Sequence, residues 1–535
     1  LSGERRRVHL LSDNAQQIVP SPDEKWVALV ERYNAYIAVF PQTGQAVNIG
    51  PITADYPIKK ITRDAGTYLN WSPDSKKLYW SLGSELYSRE LTNTFKFVDG
   101  AKDSVQEKPD TTGLYVGFTA DTDNPTGTLA LTGATVITMQ GDQVIPGATI
   151  LIERNRIKAI GPSTAIEIPP DAKRVDVSGK FIMPGMIDVH AHIGTGSNNV
   201  TPQTHWGYYA NLAFGVTTSH DPSSGTEMVF SNSELIKAGL MAGPRLYSTG
   251  TILYGAEGSI KAVISNFEDA MSHLRRLKAV GAFTVKSYNQ PRRDQRQQII
   301  EAARALKMMV VPEGGSTFFW NMSMILDGHT GIEHSIPVSP MYKDANTLLA
   351  MSKTGYTPTL IVSYGGLWGE NYWYMKTKVW DNERLLRFTP REIIDARSRR
   401  RMMAEEDDFN YIENARAAKK VFDAGAKVQL GAHGQLQGLG AHWELWMLVQ
   451  GGMSPLEAIR CATLYGAQYI GLEKDLGSLE AGKLADLIVM EKNPLEEIRN
   501  SESIRYLMKN GRLYDGATMD EIGNHPKKRG KFNWE

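Results

Sequence analysis

The sequence predicts an α/β protein: a (β/α)8 TIM barrel with a small composite β-sheet (β-sandwich) domain and an N-terminal partial β-propeller. Three observations predict it. Short β runs alternate with helical runs over about 285 central residues, the pattern of a parallel sheet with crossover helices. Strand-rich stretches flank that region on both sides, and a repeat with a period of about 51 residues opens the chain. The expected domains are residues 1–120 for the blades, 127–184 plus 472–515 for the composite sheet, 185–471 for the barrel, and a tail at 516–535.

The repeat consists of Ser21-Pro22-Asp23-Glu24-Lys25-Trp26-Val27-Ala28-Leu29-Val30 and Ser72-Pro73-Asp74-Ser75-Lys76-Lys77-Leu78-Tyr79-Trp80-Ser81. In each, Pro-Asp makes a turn and alternating apolar residues make the strand that follows. These segments resemble the Ser-Pro-Asp-Gly blades of TolB-like propellers, with Glu24 and Ser75 in place of Gly. Two unrelated hairpins are the simpler alternative. Propellers close with about four to eight blades, and 120 residues supply two or three. The remaining blades are therefore expected from a missing segment or a second chain, which implies an oligomer.

The flanking sheet is read from strands at 128–131, 134–137, 149–152 and 156–160, punctuated by Gly147, Gly161 and Pro169-Pro170, and from strands at 485–490 and 503–511. Between them lie eight strand candidates, at 186–190, 215–219, 245–249, 283–286, 308–311, 331–334, 357–362 and 426–430, which suit a barrel. An open doubly wound sheet is the alternative, but no Gly-rich dinucleotide turn follows the first strand.

Lys plus Arg and Asp plus Glu both number 59, so no basic excess recruits nucleic acid or anionic lipid. The one cysteine, Cys461, excludes an internal disulfide and reads as a buried structural thiol. No apolar run approaches the roughly 18 residues of a membrane span. The opening residues 1–5 are neither a signal peptide nor an initiator Met, so a processed or truncated start is expected.

Reactive groups in a barrel gather at the C-terminal ends of its strands, and His190, His192, His220, Lys286, Glu313, His334 and His433 fall there. In Asp188-Val189-His190-Ala191-His192, alternation along a strand turns both imidazoles the same way, so that they can share one metal ion. The run Pro184-Gly185-Met186-Ile187-Asp188-Val189-His190-Ala191-His192 resembles the first-strand signature of the amidohydrolase superfamily, in its imidazolonepropionase-like or prolidase-like members. Gly477-Ser478-Leu479-Glu480-Ala481-Gly482-Lys483-Leu484-Ala485-Asp486-Leu487 resembles the return of those enzymes to their small β-domain.

The resemblance implies two divalent ions, Zn first, with Mn and Co as the other candidates. It makes His190, His192 and His334 ligands and Lys286, carboxylated by carbon dioxide, the bridge. A bare ammonium has no lone pair for a metal, whereas a carboxylated lysine offers two oxygens. Two positions depart from the family pattern: Glu313 stands where His is usual and His433 where Asp is usual. These read as a compensated exchange, with both residues binding metal and one of them taking the proton from a metal-activated bridging water. A mononuclear site, from which one of them has left, is the alternative.

His220 is placed to hydrogen-bond the oxyanion or to orient a ligand, with a structural role as the alternative. Tyr288 and Arg292 are candidates for holding a substrate carboxylate, and Tyr364 and Trp368, in a long insertion rich in aromatics and glycines, for a lid or substrate wall. His442 is expected to cap or pack. The implied activity is hydrolysis of a C–N amide bond in a small or peptide-like molecule, without an organic cofactor. Lactone or organophosphate ester hydrolysis is the enzymatic alternative, and a propeller-scaffolded binding protein with a degenerate barrel is the other. The TolB-like resemblance implies a periplasmic or secreted location.

Overall fold

The computed structural model describes residues 7–52, 55–101, 108–196, 200–315 and 317–535. The expectation for the start of the chain, residues 1–5, lies outside the described residues. The chain divides into two compact units, Leu1–Thr119 with Thr251–Met309, and Ala120–Gly250 with Val310–Glu535.

The first unit contains two four-stranded antiparallel sheets. One runs Ala15–Pro20, Trp26–Glu31, Asn34–Val39, Ile58–Lys60; the other Thr67–Trp71, Lys77–Leu82, Glu85–Glu90, Leu114–Tyr115. Both repeats fold alike. The Ser21 hydroxyl donates to Asp23 at 2.6 Å and accepts from Trp26 N at 3.0 Å; Ser72 donates to Asp74 at 2.6 Å and accepts from Lys77 N at 3.0 Å. Each serine thus locks its turn into the strand that follows. These two sheets by themselves do not close a propeller ring.

This unit also holds the strand Thr284–Tyr288 and the helices Phe267–Ala279 and Arg293–Leu306. The first helix is tied down by Arg275, which grips Asp64 at 2.9 Å, and by Arg276, which lies 3.5 Å over the Tyr33 ring. The fourth expected barrel strand therefore belongs to the first unit.

In the second unit, an eight-stranded sheet joins the strands between residues 128 and 184 to Leu487–Met490, Ile504–Lys509 and Arg512–Asp515. Its central pairing sets Phe181–Pro184 antiparallel to Leu487–Met490. Alternation sends Ile182, Leu487 and Val489 into one apolar core and Met183, Ile488 and Met490 into another. Leu487–Met490 is buried on both faces for this reason, which explains its uninterrupted apolar run.

Parallel strands follow one another beside this sheet. Arg245–Ser248 pairs with Val216–Asp221, which pairs with Met186–Asp188. Val189 N then donates to Leu430 O, Tyr356 bridges Val428, Gly355–Thr357 pairs with Gly331–Glu333, and Glu333 bridges Glu313. The ladders of this unit trace an arc, and no closed barrel is detected among the described residues.

The seventh strand also differs from expectation. It covers Gly355–Thr357 and gives way to a 3-10 turn at Leu360–Val362, where a strand through 362 was expected. The buried carboxylate of Glu444 explains the change: it accepts from Leu360 N at 2.8 Å and Ile361 N at 3.0 Å, taking donors that a strand would need. Among the described residues no helix is long and apolar enough to cross a membrane.

Candidate functional site

His190, His334 and His433 each offer a ligand atom, and the three atoms lie within 4.8 Å of one another. His190 follows the Met186–Asp188 strand, where the Asp188 carboxylate accepts from His190 N and Ala432 N, both at 3.1 Å. Asp188 thereby fastens the first strand end to the eighth. Its burial pushes its pKa up to about 7, against the pull of those two N–H groups. His433 N donates to His190 O at 2.7 Å, a second clasp between the same ends. His334 and His433 both sit at positive φ, 68° and 57°, a conformation uncommon for non-glycine residues.

The orientation of each ring has a visible cause. His190 Nδ1 lies 2.7 Å from Glu333, whose other oxygen accepts from the Tyr469 hydroxyl at 2.6 Å. His334 Nδ1 lies 2.7 Å from the Thr359 hydroxyl. His192, with its ring centroid 4.6 Å from that of His433, has Nδ1 3.4 Å from Asp221. A nitrogen fixed on one side of an imidazole leaves the other as the donor, the usual support of a metal-binding histidine. This donor set of neutral nitrogens backed by carboxylates and a hydroxyl fits a divalent ion of the zinc kind.

Glu313, 8 % exposed, places an oxygen 3.1 Å from His334 Nε2. His220 is buried, with Nδ1 3.1 Å from Val189 O, so it braces the first strand end. The Tyr364 ring lies 5.1 Å from that of His334 and borders a cavity of about 180 Å³ formed by residues 335–339, Gly365, Asn410 and Asn414. Trp368 is exposed at the start of the Gly369–Lys376 helix. Trp373 and Tyr374 of the same insertion are buried against Trp443, so this part of it is core and not lid.

Lys286, Tyr288 and Arg292 belong to the first unit. Lys286 is buried with Nζ 5.4 Å from the Tyr288 ring, and Arg292 is exposed and paired with Asp294 at 3.2 Å. His442 packs as expected: it bonds Ser501 and the Phe214 carbonyl, and burial holds its pKa down near 3. Cys461 is fully buried and its thiol is pushed upward, as an inert core residue should be.

Sequence reasoning missed Glu333, Tyr469, Thr359 and the role of Asp221. A charged residue inside the short strand Gly331-Ile332-Glu333 was a usable signal, because a buried carboxylate needs partners. Tyr469 gave none, since its helix reaches the site from far along the chain.

Parts of the chain are similar to known proteins. Residues 370–514 match the amidohydrolase family. Ochratoxinase of Aspergillus niger is 32% identical over 112 residues, 20% of this chain and 23% of the relative. An imidazolonepropionase of Vibrio cholerae serotype O1 is 40% identical over 67 residues, 12% of this chain and 16% of the relative. The chain thus spans less than a quarter of the length of these curated relatives. Among solved structures, a Xaa-Pro dipeptidase with bound methionine in its active site superposes with a TM-score of 0.56 at 21% identity, covering 73% of this chain and 100% of that one. A. niger ochratoxinase gives 0.57 at 20% identity, over 75% and 99%. These likenesses establish a shared mixed α/β fold.

Proposed function

We propose that the chain is a metal-dependent hydrolase that cleaves the C–N bond of an amide in a small or peptide-like molecule. The observation that carries this reading is the convergence of three imidazoles within 4.8 Å at the ends of parallel strands. The match of residues 370–514 to the amidohydrolase family agrees with it, as does the fold shared with a Xaa-Pro dipeptidase. His190, His334 and His433 would hold the ion, with His192 and Glu313 adjacent. When bound, the ion supplies Lewis acidity toward both the carbonyl and water.

The chain's own groups do the rest. Glu333 and Thr359 hold the ligating rings in one tautomer. Glu313 is the candidate to take a proton from water and return it to the leaving nitrogen; His433 would take that role only in a site where it does not ligate the ion. Tyr364 and the cavity beside it offer a partly apolar seat for the acyl part, with Trp368 as a further wall. A second ion with carboxylated Lys286, the role of His220, substrate contacts from Tyr288 and Arg292, the domain limits drawn from sequence, and a blade-completing partner in a periplasmic or secreted setting are proposals resting on sequence alone.

The test is metal content by plasma mass spectrometry on protein purified without chelator, beside assays on acyl amino acids, dipeptides, lactones and aryl phosphotriesters. Bound metal and amide hydrolysis are expected, with both lost in His190→Ala and His433→Ala. Two equivalents favour the binuclear form and one the mononuclear form. Absence of metal after loading, or unchanged hydrolysis in those variants, overturns the proposal.

A further inference from the structure

A cavity of about 410 Å³ lies in the second unit, lined by residues none of which belongs to the histidine cluster. That volume is in the range of small-molecule sites. At its wall stands Lys509, the last residue of the Ile504–Lys509 strand, only 8 % exposed. Among the described residues no hydrogen bond or ion pair engages its ammonium group, a costly state for a buried cation. Lys509 also borders a neighbouring cavity of about 210 Å³.

Two other lysines of the wall, Lys527 and Lys528, are exposed, and the two arginines are already committed. Arg512 binds Asp123 at 2.7 and 2.9 Å and Glu521 at 2.9 and 3.2 Å. Arg529 binds Glu535 at 2.7 and 3.0 Å. Burial, then Arg245 and Arg512, push the Lys509 pKa down to about 8, while Asp486 and Asp123 pull the other way. The amine is therefore mostly charged at neutral pH. The wall also carries apolar side chains, Ile236, Leu240, Met241 and Met519, and the phenols of Tyr209 and Tyr514.

We propose that this cavity is a second binding site, for a small organic monocarboxylate whose anionic end meets Lys509 and whose apolar body lies against Leu240 and Met241. Of the three lysines at the wall only Lys509 is buried, and one buried ammonium matches one negative charge. A phosphate dianion is the poorer fit, because both guanidinium forks that could receive it are occupied by carboxylates.

Phenylacetate titrated into the full-length protein at pH 7 by calorimetry tests the site, with inorganic phosphate as the second probe. One phenylacetate is expected to bind, at least 10-fold more weakly in Lys509→Met and in Leu240→Trp, equally well in His433→Ala, and more weakly above about pH 8. Leu240 is exposed, so its variant keeps the test open should Lys509→Met fail to fold. No binding, binding insensitive to both cavity variants, loss of binding in His433→Ala, or preference for phosphate overturns the proposal. The His433 variant separates this site from the metal centre, so either reading can fail without the other.

Discussion

At the scale of single residues, the histidine cluster depends on groups that touch no ion themselves. Glu333 fixes His190, and Tyr469 fixes Glu333. Exchanging Glu333 for Gln keeps the shape and removes the charge that favours one tautomer. Metal affinity, measured by competition with a chelator, is expected to fall about 10- to 100-fold while circular dichroism stays unchanged. The histidines themselves were legible in the sequence, because alternation along a strand and the ends of parallel strands leave few places for them to point. Their supports were not. Thr359 reaches His334 from a left-handed backbone position, and neither that φ of 45° nor a tyrosine from a distant helix leaves a local pattern.

At the scale of elements, the helix Leu439–Gln450 is deeply embedded in the second unit, with ten of its twelve residues buried. A helix apolar all round must be covered on every side. Trp373 and Tyr374 supply part of that cover, and for this reason an insertion read as a substrate wall proves partly to be core: sequence shows that aromatics are clustered, not which surface they meet. His442 on this helix also makes stability depend on acid. Its folded pKa is near 3 against an ordinary 6.5, so the unfolded chain binds the extra proton and stability is lost as pH falls from 6.5 toward 3. Between pH 7.5 and 5.0 the wild type should lose on the order of 2 kcal/mol more than His442→Gln, read from urea unfolding midpoints.

At the scale of the whole molecule, α/β class, repeat and flanking sheet were all readable from periodicity and turn chemistry. The assignment of Thr251–Met309 to the first unit was not, because it depends on contacts such as Arg275 with Asp64, which carry no periodic signal. The composite sheet yields a prediction of its own. A chain truncated after Lys483 lacks the strand that covers Phe181–Pro184, and it should be recovered as insoluble aggregate while the full chain is soluble, as fractionated expression would show. The same pairing sets a clock for biosynthesis. About 300 residues separate Pro184 from Leu487, and at roughly 5 to 20 residues per second a ribosome needs about 15 to 60 s to deliver the partner strand. For that interval the nascent chain carries an uncovered apolar edge, so its yield in the cell should respond to translation speed and to chaperones that shield exposed strands.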